Sequence, residues 1–282
     1  MNQLSIITDS CCDVTETLRT DLHGIAPLTI TIDGKEYVDD GSVAMVPYLA
    51  AMKASPNPAR SACPSPACYA ETILSAPGDC FIITLSARLS GSYNAAMLGR
   101  EMAHEQQPEK RVHVFNTKSA CAGETYLALL LRDLISSGKT FEEIISAMQD
   151  KIQALHTVFV LDSLDNLVKN GRMKKVAATV ANLLSIRPVL SDDGEGGIRL
   201  IGKGRGMRNA LSQMVEVCRK HTEGLAERSQ RLTLSYCNCL TRAKEVRDLI
   251  WNRCPAIGEI VLTPTSALSS MYAEDGGIVI AY

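Results

Sequence analysis

Two serines around one glycine, Ser90-Gly91-Ser92, stand where an apolar run gives way to a helical pattern. Before them, Cys80-Phe-Ile-Ile-Thr-Leu-Ser86 has the β-branched and aromatic content of a buried strand. After them, Ala95, Leu98 and Met102 recur at helical spacing. The first turn of a helix carries unpaired N–H groups and a partial positive charge, so this junction can hold an anion. Gly91 would let that anion approach the backbone, and Ser90 and Ser92 would add hydroxyl donors. A plain N-cap at Ser90 is the competing reading of the same residues. Hydroxyls at a helix start suit holding a carboxylate or a phosphate better than attacking a substrate.

Other residues could share that task. Thr8-Asp9-Ser10 closes a first apolar run, and the carboxyl edge of a parallel sheet is where ligands bind in open α/β folds. Satisfying a turn is the alternative for these three. The stretch from Ser55 to Pro66 carries four prolines and, after its first residue, the hydroxyls of Ser61 and Ser65. A stiff loop of this kind either fixes those hydroxyls in place or is a bare linker. Lys203, Arg205 and Arg208 form a basic cluster, a solvated face or a dock for an acidic or phosphorylated partner.

Several chemistries have no residues to carry them. There is no Walker loop, no Gly-x-Gly-x-x-Gly after a strand, no His-Glu-x-x-His and no Gly-x-Ser-x-Gly. None of the five histidines lies beside the serines in sequence, so a Ser-His hydrolase needs one folded against Ser90 or Ser92. The ten cysteines include no Cys-x-x-Cys pair, and they read as small buried hydrophobes with no metal site. A net charge of −2 gives no basic face for nucleic acid. The start of the chain lacks the pattern of a signal peptide, and no apolar run reaches the roughly 18 residues of a membrane span. The expectation is a cytoplasmic protein with a mostly aliphatic core.

The elements that must position these residues follow from period and punctuation. Leu4 to Thr8 reads as a strand, and Asp13 with Glu16 as a capping box opening a helix to Leu22. Ile25 to Ile32 and Tyr37 to Asp40 read as strands, and Pro47 to Ala54 as a helix with proline at its first position. Arg111 to Phe115 is a further strand. Helices follow through Leu127 to Ile135 and, capped by Thr140 with Glu143, through Ile144 to Leu155. This alternation predicts an α/β fold whose N-terminal part, residues 1–156, is a three-layer α/β/α domain with a parallel sheet. From Thr157 a second α/β domain, residues 157–282, is expected, two-layered with a mixed sheet. It would hold strands at Thr157 to Leu161, Leu232 to Tyr236 and Ile257 to Leu262, and a terminal strand entered through Gly276-Gly277. A hairpin pairs Ile186 to Leu190 with Ile198 to Ile201. Helices are expected near Leu164 to Val168 and over Lys174 to Leu184, Met207 to Cys218 and Arg242 to Arg253.

Taken in order, these pieces resemble the DegV family of fatty-acid-binding proteins. The motifs are Ile7-Thr8-Asp9-Ser10, Pro27-Leu28-Thr-Ile, the Ser61-Ala-Cys-Pro64-Ser65-Pro66 loop and Leu89-Ser90-Gly91-Ser92-Tyr93. Leu164-x-x-Leu167-x-Lys169-Asn170-Gly171-Arg172, Leu184-x-Ile186-x-Pro188-Val-Leu190 and Lys203-x-Arg205 complete the set. The resemblance implies two α/β domains with a lipid tunnel between them. It implies that the carboxylate of a long-chain fatty acid meets Ser61 and Ser90, supported by Gly91 and Ser92. Asp9, Ser10, Arg172, Lys203, Arg205 and Tyr272 are then candidate contacts of the head group or of a partner. It implies a carrier without catalysis or cofactor of its own, which presents the fatty acid to a separate ATP-dependent fatty acid kinase. A hydrolase or transferase using the same serine site is the alternative. Two segments depart from the family pattern. Ser61-Ala62-Cys63-Pro64 stands where the family usually has Thr-Ser-Gln-Pro, and Tyr272-Ala-Glu-Asp-Gly276 where it usually has His-x-Gly-Pro-Gly. The second departure puts Glu274 and Asp275 where an acyl phosphate would approach.

Overall fold

Strand β1 (Leu4–Asp9) and strand β6 (Asp79–Thr84) are the buried centre of a four-stranded parallel sheet ordered β2-β1-β6-β7, with β2 (Leu22–Ala26) and β7 (Val112–Asn116) outside them. A computed structural model describes residues 3–173 and 186–282. All six residues of β6 are buried, as expected for a strand covered on both faces. Helices α3 (Pro66–Ser75) and α4 (Ser92–Gln106) cover one face through Tyr69, Ile73 and Ala96. Gly99 lets α4 lie against α3, because a Cβ there would stand 2.5 Å from the Tyr69 Cβ. The other face packs on α5 (Ala122–Ser136) and α6 (Phe141–Ala154), where Phe81 stacks on Phe141 with ring centroids 4.4 Å apart. Thr140 and Glu143 make the expected capping box at the start of α6.

The strands after residue 156 build a second sheet, β10-β9-β8-β13-β11-β12. Its members are β8 (Thr157–Val160), β9 (Ile186–Asp192), β10 (Ile198–Arg205), β11 (Gln230–Tyr236), β12 (Ile257–Pro264) and β13 (Ile278–Ala281). Among the described strands only β11 and β12 run parallel, so the sheet is mixed. After the short helix α7 (Asp165–Lys169), helices α8 (Gly206–His221) and α9 (Leu240–Arg253) bury Met214, Val215, Val246 and Ile250 against one face. The opposite face meets α5, with Thr233 Oγ1 donating to the Ala122 carbonyl at 2.7 Å. One apolar core therefore joins Phe81 and Ile83 of the first sheet to Phe159, Leu190 and Val279 of the second.

The structure corrects the sequence reading at several points. Ile25 to Ile32 is two strands: Pro27 ends β2, and β3 (Thr29–Ile32) joins a separate antiparallel sheet ordered β4-β3-β5. Its other strands are β4 (Lys35–Val38) and β5 (Arg60–Ala62), so the proline loop contains an edge strand. Ser65 accepts from the Cys68 N–H as the N-cap of α3, a helix the proline count concealed. The helix expected from Asp13 to Leu22 is only α1 (Glu16–Arg19), capped by Thr15. Asp13 instead accepts from the distant Ser266 N–H, and Leu22 starts β2. Helix α2 (Met45–Ala54) begins two residues early, which puts Pro47 at its third position, still within the turn whose N–H groups are unpaired. The helix expected over Lys174 to Leu184 lies outside the described residues. The small sheet packs on α2 and α10 (Ala267–Ala273), where the Tyr48 hydroxyl donates to the Ala267 carbonyl at 2.9 Å. That packing brings β5 and its Ser61 to the C-terminal half of the chain.

Candidate functional site

Leu28, Leu85, Phe159, Leu161, Leu167 and Leu268 wall a cavity of about 370 Å³ between the first sheet's carboxyl edge and the second sheet. That volume is within the range of small-molecule sites. Alternate residues of a strand share a face, so Thr157, Phe159 and Leu161 line it in a row. At about 3.3 Å per residue this row is about 13 Å long.

Polar groups gather at the mouth. Ser61 on β5 and Tyr272 on α10 hold their hydroxyls 2.9 Å apart. Ser90 and Gly91 stand at the start of α4, with Gly91 as its N-cap. The Arg172 guanidinium donates to the Leu89 carbonyl at 3.3 Å and to the Asn170 carbonyl at 2.5 Å, and lies 5.9 Å from the Tyr272 ring centroid. Asn170 Nδ2 ties this loop to the Ala59 carbonyl beside β5. The cavity mouth thus joins hydroxyls, a helix N-terminus and one guanidinium, a set that can hydrogen-bond a carboxylate and attract its charge.

Of the residues singled out from sequence, Ser61, Ser90, Gly91, Arg172 and Tyr272 line this one cavity. Ser90 Oγ accepts from the Ser92 N–H at 3.2 Å, which leaves its proton free to donate. Ser92, Asp9 and Ser10 lie beneath the wall. Ser92 is fully buried and donates to Asp9 Oδ2 at 2.6 Å, so the Tyr69 hydroxyl, also at 2.6 Å, donates to Ser92. Asp9 also accepts from the Leu85 and Cys11 N–H groups. Burial raises its carboxyl above the ordinary aspartate value, and these donors oppose the rise. Asp9 therefore locks β1, the end of β6 and the start of α4 together. Ser10 does similar work, accepting from the Leu28 N–H at 3.0 Å.

Lys203 and Arg205 are exposed on the edge strand β10, and Arg208 is exposed at the start of α8; none of them lines the cavity. Glu274 and Asp275 do not line it either: Glu274 accepts from the Asn166 N–H and Asp275 from Asn238, both facing an outer groove beside α2. The expectation that they bring negative charge to the mouth is corrected. Sequence reading missed Ser119 and Thr157, whose buried hydroxyls meet at 2.7 Å in the cavity wall. It also missed Glu124, fully buried on α5, which burial and the nearby Asp9 charge hold well above the ordinary glutamate value. No local pattern marks either feature, since each depends on strands and helices far apart in sequence.

All ten cysteines are free; six are buried, and Cys63 is exposed at the mouth. Among the described residues no group of three metal-ligating side chains comes together. No described helix is long and apolar enough to cross a membrane.

The family model described as "Uncharacterised protein, DegV family" matches residues 3–282. The chain belongs to the DegV family. A DegV domain-containing protein of Streptococcus pneumoniae is 34% identical over 281 residues, covering 98% of each chain. Among solved structures, a DegV protein of Ruminococcus gnavus, described with vaccenic acid, is 36% identical with a TM-score of 0.93 over 99% of each chain. The Fatty Acid Kinase B3 protein of Streptococcus pneumoniae, loaded with linoleic acid, is 32% identical with a TM-score of 0.88 over 99% of each chain. A DegV protein of Eubacterium eligens, loaded with heptadecanoic acid, is 28% identical with a TM-score of 0.89 over 99% of each chain. The two-domain DegV fold agrees with the parallel sheet and separate mixed sheet found here.

Proposed function

We propose that this protein binds a long-chain fatty acid in the cavity, its carboxylate at Ser61, Ser90 and the Gly91 backbone and its acyl chain along the apolar wall. In this reading Ser92 supports the site from below, through Asp9, and Arg172 and Tyr272 flank the carboxylate. The observation that carries the reading is one largely apolar cavity whose lining also brings together Ser61, Ser90, Gly91, Arg172 and Tyr272. Each buried methylene contributes about 0.8 kcal/mol, so a palmitoyl-length chain has a gross driving force on the order of 10 kcal/mol, from which ordering costs are subtracted. A carboxylate needs hydrogen-bond donors wherever it leaves water, and the mouth supplies them. The fatty acids in the Ruminococcus and Eubacterium proteins support the same ligand class.

The kinship with the B3 protein supports the further step: the chain is a carrier that presents the carboxylate to a separate ATP-dependent kinase and performs no catalysis itself. The hydrolase alternative gains no support, because no described histidine lines the cavity. Residues 1–156 then supply Ser61 and the helix start, and residues 157–282 cover the acyl chain, in a cytoplasmic protein. The test is a binding titration with palmitic acid and with hexadecanol. The acid is expected to bind at least about tenfold more tightly, one hydrogen bond to a charged group being worth about 1.5 kcal/mol or more. Equal affinities would remove the carboxylate site, and binding of neither would remove the lipid reading.

A further inference from the structure

Two cysteines far apart in sequence meet in the cavity wall. Cys11 follows β1 and Cys121 is the N-cap of α5; both line the cavity and share one apolar cluster with Leu28, Leu85 and Leu268. Hydrogen bonds bring their segments together. Asp9 accepts from the Cys11 N–H at 3.1 Å and from the Leu85 N–H at 2.9 Å, and the next residue, Ser86, donates its N–H to the Ser119 carbonyl at 2.8 Å. The Thr125 hydroxyl then spans the two segments, donating to the Asp13 carbonyl at 2.8 Å and to the Cys121 carbonyl at 3.2 Å. The two thiols consequently face one another. Cys121 has φ 52° and ψ −119°, a conformation that residues with side chains rarely adopt and that persists only where the surroundings enforce it. The Cys121 thiol, burial and the Glu124 charge hold the Cys11 thiol well above the ordinary cysteine range, so it stays protonated, and Cys121 is the less buried of the two. A second pair, Cys218 on α8 and Cys254 after α9, is also in contact, but both are at 0% exposure and neither lines this cavity.

We propose that Cys11 and Cys121 form a dithiol site that a peroxide entering the cavity oxidises to a disulfide, and that a bound acyl chain shuts the peroxide out. The shielding half rests on the fatty-acid reading above; the dithiol half does not. The Cys121 sulfur, as thiolate, attacks one oxygen of hydrogen peroxide. The O–O bond breaks, hydroxide leaves and takes up the thiol proton as water, and Cys121 becomes a sulfenic acid. The Cys11 thiol then displaces the sulfenic oxygen: the S–S bond forms, the S–O bond breaks, and the oxygen leaves with the Cys11 proton as a second water. Two thiols are oxidised and one peroxide is reduced to two waters. A small dithiol reverses the step by thiol–disulfide exchange. Access decides which pair reacts, because oxidation follows exposure as well as thiolate character. The cavity offers that access to Cys11 and Cys121, and Cys218 and Cys254 have none.

The experiment treats the whole chain, freed of lipid, with a small excess of hydrogen peroxide, alkylates the remaining thiols and maps the peptides by mass spectrometry. The expected product is a Cys11–Cys121 link that dithiothreitol reverses, with Cys218 and Cys254 still alkylated. Cys11→Ser leaves Cys121 as a sulfenic acid that dimedone traps, and Cys12→Ser, whose thiol is outside the lining, keeps the link. Palmitic acid at 100 times its dissociation constant leaves about one cavity in a hundred free, so linking slows by up to about 100-fold. Folded native protein that forms no Cys11–Cys121 link, or that oxidises Cys218 and Cys254 equally fast, overturns the dithiol site whatever the ligand. A link that forms at the same rate with palmitic acid bound leaves the dithiol standing and overturns the shielding. Failure to bind palmitic acid at all overturns the fatty-acid reading, and the lipid-free measurement still decides the dithiol.

Discussion

Removing the Ser92 hydroxyl tests whether this serine belongs to the frame of the site. Its oxygen donates to Asp9 Oδ2 and accepts from the Tyr69 hydroxyl, both at 2.6 Å, and all three side chains are buried at or near 0% exposure. Ser92→Ala deletes a hydrogen bond to a carboxylate, worth about 1.5–3 kcal/mol. It also strands the Tyr69 hydroxyl without an acceptor, at a further cost of about 1–3 kcal/mol. Expected destabilisation is about 3–5 kcal/mol. Tyr69→Phe removes only a donor to an oxygen still engaged with Asp9, and costs about 1 kcal/mol. In the double variant no tyrosine hydroxyl is left to strand, so its loss falls below the sum of the two single losses by about 1–2 kcal/mol. Urea unfolding of the four proteins, analysed by linear extrapolation, measures this cycle. Loss of the Ser92 donor also pushes the Asp9 carboxyl further above its ordinary value. Strict additivity of the two single variants, or a Ser92→Ala protein as stable as the native one, would refute the network.

Three further outcomes follow from the same geometry. Ser61→Ala/Ser90→Ala removes two hydroxyls from a mouth open to water, so each contributes near the low end for a charged hydrogen bond; fatty acid affinity drops about 100-fold in a fluorescence displacement assay while hexadecanol affinity stays nearly constant. Burial lifts the Asp13 carboxyl from 3.8 to about 6, and one of its oxygens has no partner among the described residues. Because the folded value is raised, this group's contribution to stability is fully present below pH 3.8 and is lost as pH rises through about 6. The stability of Asp13→Asn relative to the native protein therefore grows by about 3 kcal/mol between acid and neutral pH, and parallel stability curves would contradict it. Gly99→Ala forces a methyl group against Tyr69 Cβ and the Pro66 carbonyl, and thermal unfolding is expected to show a loss of about 1–3 kcal/mol.

What could be read from the sequence was what depends on neighbours in the chain. The apolar run ending at Thr84 and the helical spacing after Ser92 located the candidate anion site, and Thr140 with Glu143 located a helix start. The errors have equally physical causes. Pro27 has no N–H to donate, yet the apolar residues on both sides of it made two strands of different sheets look like one. Asp13 resembled a cap, but a backbone N–H more than two hundred residues away took its carboxylate. Ser65-Pro66 is a good helix start, and it was obscured by the prolines before it. The meeting of Ser61 with Tyr272 and of Ser119 with Thr157 depends on separate sheets packing together, and that of Ser92 with Asp9 and Tyr69 on two helices closing over the first sheet. No spacing rule reaches that far.

The most direct test of the central claim is denaturing extraction of freshly purified protein, followed by mass spectrometry of the released small molecules. The account predicts a long-chain fatty acid at close to one per chain, reduced in Ser61→Ala/Ser90→Ala protein. A different amphiphile at that stoichiometry would contradict the fatty-acid assignment. An empty extract, together with no uptake of added fatty acid, would contradict the reading of the cavity as a lipid site.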